Sequence, residues 1–451
     1  MKVISEPNKS VLMIMKRFLG SEKSVRWSQY CVITPTADGF LVFNLLTREL
    51  IFLNNDEYSS FSHSDYLRDH GFVLPENTNE KELADFVKLV LSTQQKKPSA
   101  ITNFTIFTTT DCNARCFYCF ELGRSRIPMS CDTAKKVIGY IKDHCGGNKV
   151  RIGWFGGEPL FNSSVIDIIA NGLHNEKIDF TSYMISNGYL FDNDIVCRAA
   201  ECWNLKNVQI SLDGTEKVYN KIKSYIYPGT NPFEIVMDNI ERLLDNGIHV
   251  SIRLNMDVYN SDDLLALAKE LGCRFKERNG INVYAHHLFK SDTPDAVLYS
   301  EEEWAIRNAA MERLYNVLDE YGLISKGGIA KSIKTHHCMA DSGNAITILP
   351  DGNLGLCEHC TETEFIGHLD QQEFDKAVVE SWKERVPQIP ECAECFYYLD
   401  CIKLKKCSTS RICYPQYRQK KLKDIQRAMI FEYDNWLKPK KTDKDYSIDI
   451  C

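Results

Sequence analysis

Cys112-Asn113-Ala114-Arg115-Cys116-Phe117-Tyr118-Cys119 puts three thiols on eight consecutive residues, spaced C-x3-C-x2-C, just after a β-prone run at 104–108. Thiolates tethered this closely converge on one centre, and soft sulfur suits zinc or an iron–sulfur cluster. Structural zinc is closed by four ligands, so a zinc knuckle here would borrow a distant fourth. A cubane held by three thiolates keeps one iron open to a substrate or cofactor. Cysteines return late in the chain: Cys338 and Cys357 in C-x13-G-x4-C through Gly352, then Cys360, Cys392-x2-Cys395-x5-Cys401, Cys407 and Cys413. Read blind, these later spacings suit clusters or two structural zinc sites.

The elements that must position the first three thiols alternate. Strands are expected at 150–155, 180–185, 208–212, 248–254 and 281–285, after the one that leads into the cysteines. Helical periodicity is expected at 132–144, 165–173, 195–203, 233–244 and 264–271. Six strands with intervening helices are the pattern of a parallel α/β sheet or barrel, where chemistry collects at the C-terminal strand ends. Polar motifs fall at those ends. Gly156-Gly157-Glu158-Pro159 follows the second strand; its glycines let backbone pass close to a ligand, and its carboxylate and nearby carbonyls suit an ammonium. Ser186-Asn187-Gly188 and Ser211-Leu212-Asp213-Gly214 end the third and fourth strands, as ligand-binding groups or as ordinary turns. Arg253, near the end of the fifth, suits a carboxylate through its planar fork, of a ligand or of the protein.

Composition sets bounds. The 451 residues exceed one ordinary domain, and 44% hydrophobic with 25% charged residues is globular and soluble in character. A net charge of −7 argues against nucleic acid as main partner. Eighteen clustered cysteines in so long a chain read as metal-holding rather than as a secreted disulfide scaffold. The early apolar run at 11–15 is too short for a signal peptide, and no stretch approaches a membrane span, so the expectation is a cytoplasmic protein.

On C-x3-C-x2-C, with an aromatic (Tyr118) just before the third cysteine, the chain resembles the radical S-adenosylmethionine (SAM) enzymes. The resemblance implies a partial (β/α)6 TIM-like barrel and a catalytic [4Fe–4S] cluster on Cys112, Cys116 and Cys119. It also implies SAM on the open iron, cleaved by one electron to a 5′-deoxyadenosyl radical. Gly156, Gly157 and Glu158 would then hold the SAM amino group, Ser186, Asn187, Ser211 and Asp213 its polar groups, and Arg253 its carboxylate. Residues 284–287 would flank the adenine. The late cysteines resemble the auxiliary-cluster (SPASM) extension of peptide-acting members. By that analogy one auxiliary [4Fe–4S] cluster takes Cys392, Cys395, Cys401 and Cys413. The other takes Cys338 and Cys357, with Cys407 crossing over and Cys360 completing the site. Five residues separate Cys401 from Cys407, where the family usually has three.

The domains expected are an α+β unit at 1–97, the barrel at 98–292, a helical bridge at 293–334, the SPASM domain at 335–415, and a helix with polar tail at 416–451. The first unit, with a hairpin through Asp38-Gly39 and a helix near 80–93, resembles a leader-recognition domain; a structural cap over the barrel is the alternative. Lys96-Lys97-Pro98 reads as its linker. The basic helix at 417–436 is expected to pack on the SPASM domain. Cys31, Cys131, Cys145, Cys197, Cys202 and Cys273 are expected to be buried small hydrophobes, and Cys451 has no assignable role.

Together these features favour a maturase of ribosomally made peptides, forming thioether or carbon–carbon crosslinks. Its expected partners are a precursor peptide and a low-potential donor such as a flavodoxin or ferredoxin. An anaerobic sulfatase maturase and a zinc-stabilised binding protein are the competing readings. No residue type or spacing identifies a catalytic acid or base.

Overall fold

A computed structural model describes residues 1–17, 24–94, 98–119, 121, 123, 125–288, 300–325, 327–371, 373–407, 413 and 415–438. Most of the linker (Lys96, Lys97) and Cys451 lie outside the described residues. The strands, in chain order, are β1 (Lys2–Ser5), β2 (Val25–Trp27), β3 (Cys31–Thr36), β4 (Gly39–Asn44), β5 (Glu49–Leu53), β6 (Val73–Pro75), β7 (Asn103–Thr109), β8 (Val150–Gly156), β9 (Phe180–Ser186), β10 (Leu205–Leu212), β11 (His249–Met256), β12 (Ile281–His287), β13 (Ala345–Ile348), β14 (Asn353–Gly355) and β15 (Gly367–His368).

Strands β7 to β12 are parallel neighbours in sequential order, each followed by at least one helix, as a (β/α)6 partial barrel requires. Outward positions such as Val208, Ile210, Val250, Ile252 and Val283 are buried under the helices. The alternating inward positions are polar: Asn207 donates to Ser251 at 3.1 Å, Ser251 to Asn282 at 2.9 Å, and Tyr284 to Gln209 at 2.6 Å. A barrel wall of this kind keeps its interior wet enough for a polar guest. Beyond β7 the sheet continues. β13 pairs with it in parallel, Ala345 opposite Asn103, and β14 and β15 follow antiparallel, so the cysteine-rich extension and the barrel share one nine-stranded sheet.

The first unit has a four-stranded sheet in the order β1-β5-β4-β3. Its hairpin turns through Ala37-Asp38 with Gly39 already paired to Thr36, one residue before the expected Asp38-Gly39 turn, and Asn54 with Glu57 makes a capping box for helix Asn55–Ser59. Each sheet face has its own core. One (Val42, Ile51, Leu53) packs on Leu67 and Phe72 within the unit. The other (Leu41, Phe43, Leu50, Phe52) shares a core with Ile329, Ile333, Tyr397, Leu399 and Met429. The unit is therefore joined to the C-terminal part of the chain. Buried Arg48 pairs bidentately with Asp400 at 2.5 and 2.9 Å, and Lys88 donates to the Tyr398 carbonyl at 2.9 Å. Helix Pro415–Leu437 meets the cysteine-rich segment through Tyr417 and Tyr397, as expected. It also packs Met429 and Tyr433 on the N-terminal sheet and ties Lys423 to Glu312 of helix Glu301–Glu320.

Cys145 is buried as expected, but Cys131, Cys197 and Cys273 are exposed and Cys31 and Cys202 half-buried, which corrects the expectation for five of the six. The three exposed ones stand on barrel helices at positions outside the buried stripe.

Candidate active site and auxiliary cysteine sets

The parallel strands deliver every predicted barrel motif to the same rim. The cysteine loop leaves Thr109, and the Gly-Gly-Glu turn leaves β8 beside it. The Gly157 amide donates to the Thr109 carbonyl at 3.0 Å and the Glu158 amide to the Asp111 carbonyl at 2.9 Å. Both glycines answer to this contact. A Cβ on Gly156, whose φ is +130°, would strike the Thr109 carbonyl, and one on Gly157 would strike that of Asp111. The glycines thus let the two loops lie against each other, a constraint set by the protein's own backbone.

The Glu158 carboxylate is fully buried. It accepts from Ser186 Oγ at 2.9 Å, the Asn187 amide at 2.8 Å and the Leu160 amide at 3.2 Å, which lock the end of β9 to the turn. Burial pushes its pKa up to about 7 against those donors. Asn187 reaches on to the cysteine loop, donating to Asn113 Oδ1 at 2.6 Å and lying 3.8 Å from Cys112 Sγ. Burial, with Glu158 nearby, pushes the Cys112 thiol up to about 12.

Ser211 and Asp213 engage a residue that sequence reasoning missed. Lys223, the last residue of helix Glu216–Lys223, is buried. It donates to Ser211 Oγ at 2.7 Å and Tyr118 Oη at 3.1 Å, and pairs with Asp213 Oδ2 at 3.1 Å. Tyr118 donates to Asp213 Oδ1 at 2.7 Å, and Asn255, also unforeseen, donates to the same atom at 3.1 Å. Backbone bonds complete the clamp: Arg115 N to Lys223 O at 2.8 Å, and Ile226 N to Asn113 O at 2.9 Å. The cysteine loop is pinned by a buried ion pair on one side and the Gly-Gly-Glu turn on the other. A lysine ten residues past an Asp, in a polar stretch, carries no sequence signal of burial.

Arg253 lies on the inner wall with its Nη2 3.3 Å from His286 Nδ1, while its Nε is buried without a hydrogen-bond partner among the described residues. His286 Nδ1 also stands 2.7 Å from the His287 carbonyl, a pure acceptor, so that nitrogen carries the proton and cannot accept from Arg253. Among the described residues, the guanidinium faces the barrel without a protein carboxylate as hydrogen-bond or ion-pair partner. Of the rim segment 284–287, Tyr284 turns inward to Gln209, and His287 packs edge-on against Trp304.

The late thiols gather in two groups. Cys338 has Cys407 nearby and Cys357 has Cys338 and Cys360, each thiol held above its ordinary pKa first by burial. Cys395 has Cys413 and Cys392 nearby, and Cys401 has Cys413 and Cys395. Among the described residues no three Cys, His, Asp or Glu side chains converge tightly enough for one metal ion. A cubane spreads its ligands over four irons, so its thiolates stand wider apart than those of a single ion.

Fold and rim together define a parallel-barrel enzyme with a three-thiol loop at its active end. Residues 106–271 match the family model of the radical SAM superfamily, and this part of the chain is a radical SAM domain. The chain is 26% identical over 307 residues to a probable GTP 3′,8-cyclase of Archaeoglobus fulgidus, covering 64% of this chain and 96% of the relative. It is 28% identical over 268 residues to GTP 3′,8-cyclase of Clostridium perfringens, covering 56% and 79%. Among solved structures it resembles polyhistidine-tagged anSMEcpe with bound AdoMet, at TM-score 0.58 and 13% identity over 74% of this chain and 95% of that one. It also resembles Streptococcus suis SuiB bound to the precursor peptide SuiA, at TM-score 0.50 and 12% identity over 84% and 95%. The protein is an enzyme that uses SAM and a [4Fe–4S] cluster. The residues present fit both: three soft sulfurs on one braced loop, and a guanidinium in the barrel that no described carboxylate pairs. No helix among the described residues is long and apolar enough to cross a membrane.

Proposed function

We propose that this enzyme modifies a ribosomally made precursor peptide. The observation that carries the reading is the first unit, whose sheet shares one core with the segment bearing the auxiliary cysteines. A peptide strand added to that sheet would be tethered to the enzyme through that core, which would raise its local concentration at the barrel. Cys112, Cys116 and Cys119 would hold the catalytic cluster. When bound, cluster and SAM supply the one-electron cleavage that yields a hydrogen-abstracting radical. This chain's residues brace and orient: Glu158 and Asn187 fix the turn against the loop, Lys223 with Asp213 and Ser211 fixes Tyr118, and Arg253 offers its fork to the SAM carboxylate. Cys392, Cys395, Cys401 and Cys413 would form one auxiliary cluster in a SPASM domain, with Cys338, Cys357 and Cys360 in the other. The setting is cytoplasmic, with a flavodoxin or ferredoxin as donor.

The shared core rules out deleting the unit as a clean test, since that would strip apolar surface from the C-terminal elements. The test is reconstituted full-length enzyme with SAM and dithionite, offered a short precursor encoded beside the gene, a sulfatase-derived Cys peptide, or GTP. The expected result is a precursor product lacking the hydrogens removed in crosslinking, read by mass spectrometry. Turnover of the sulfatase peptide alone, or of GTP alone, would replace this reading.

A further inference from the structure

Asn187 follows β9 among the residues that the family resemblance assigns to SAM, yet its side chain is engaged elsewhere. It is buried, and its Oδ1 accepts from the Tyr189 amide at 3.0 Å. A backbone amide can only donate, so this bond fixes which way the carboxamide lies and puts Nδ2 on the cysteine loop. Nδ2 carries two hydrogens and meets two acceptors there, Asn113 Oδ1 at 2.6 Å and Cys112 Sγ at 3.8 Å. No N–H of this carboxamide is left for a ligand.

Cys112 is a sulfur in need of donors. Burial and the nearby Glu158 both disfavour negative charge on it. The Ala114 amide, 3.3 Å from Sγ, opposes them from within the loop. Asn187 opposes them from outside it, and is itself held in place. Its backbone amide donates to the Glu158 carboxylate at 2.8 Å while its side chain reaches the sulfur, so one residue stands between the buried anion and the thiol.

We propose that Asn187 acts on the catalytic [4Fe–4S] cluster through Cys112, its Nδ2–H donating to the thiolate and raising the cluster's reduction potential, in place of a contact to SAM. This rests on the reading of Cys112 as a ligand of that cluster. A reduced cluster carries one more negative charge than an oxidised one. A donor to a ligating sulfur therefore stabilises the reduced form more.

The test is a potentiometric titration of full-length holoenzyme. It is read from the electron paramagnetic resonance signal that shifts when SAM is added, which separates this cluster from the auxiliary ones. N187A and N113A both break the bond between the two carboxamides, but only N187A removes the donor to sulfur. At the potential that half-reduces the parent cluster, the reduced-to-oxidised ratio should fall about threefold or more in N187A. It should stay near the parent value in N113A, and calorimetry should find parent SAM affinity in oxidised N187A. A parent midpoint in N187A, or an equal fall in N113A, overturns the proposal. Pulsed resonance on the unsubstituted enzyme grown with 15N-asparagine needs neither variant to fold: a weak 15N coupling to this cluster is expected, and its absence also overturns the proposal. The underlying reading fails differently, since C112A would then keep the SAM-responsive signal.

Discussion

Cys112, Cys116 and Cys119 stand on one loop of eight residues, whereas each late group joins a run of thiols (338–360 or 392–401) to one from farther along the chain, Cys407 or Cys413. The first set is made locally and then clamped, by Gly156-Gly157-Glu158 from β8 and by Lys223 beyond β10. The second depends on the N-terminal sheet, whose Arg48 enters the turn that leads to Cys401 by way of Asp400. Damage to the clamp should therefore be felt at the rim, and damage to the weld at the auxiliary set.

The sharpest separation is C112A, with C116A and C119A equivalent. Release of 5′-deoxyadenosine should cease while iron falls by about one cubane in three; release at the parent rate would remove the loop from the chemistry. Next is K223M. It leaves Asp213 charged and buried without its cation and should cost about 3–5 kcal/mol in urea unfolding, with the paired K223M/D213N recovering most of it. An unchanged midpoint would mean that the clamp contributes nothing.

R48M attacks the other region in the same way. Asp400 keeps slight contact with solvent where Asp213 has none, so the expected loss is smaller, about 2–4 kcal/mol. Iron should be lost from the auxiliary set, with deoxyadenosine per catalytic cluster unchanged; equal loss from both sets would dissolve the distinction between them.

The smallest effect is a pH dependence on the barrel side. Burial, with Lys420 and Arg307 near, holds His287 down to about 3, and burial with Arg253 holds His286 down to about 4, against an ordinary 6.5. Their pKa values are depressed in the folded state, so the unfolded chain binds more protons below pH ~6.5. Stability is full above that pH and falls as the solution is acidified. Between pH 7.5 and 5 the two histidines together cost about 4 kcal/mol, offset in part by Glu158, whose raised pKa of about 7 gains stability over the same range, so a net decline of roughly 1–3 kcal/mol is expected, and H287F, which keeps an aromatic ring against Trp304, should show a shallower one.

Much of this was legible in the chain. Val208, Ile210 and Leu212 alternate with Gln209 and Ser211, and helices such as Pro232–Asp245 carry a continuous apolar stripe, so the barrel's period is written residue by residue. Three cysteines on one loop need no fold to be recognised as a set. Lys223 was not legible, because helix Glu216–Lys223 is largely polar and its terminal lysine reads as solvent-facing until the fold buries it. Nor was the weld of the first unit: β5 is apolar on both faces, and a sequence does not say whether the second face covers its own helix or another part of the chain. The pairing of β13 with β7, more than two hundred residues earlier, is a contact no local pattern encodes.

That pairing bears on how the molecule can be rebuilt. A barrel excised at 98–292 would leave β7, the strand that carries the cysteine loop, with a bare row of amides and carbonyls where Ala345–Ile348 had lain. Naked strands of this kind recruit other chains. The catalytic barrel is thus not a portable cassette, and a chimera that grafts it onto a new recognition module must carry β13 with it or supply a substitute strand in the same parallel register.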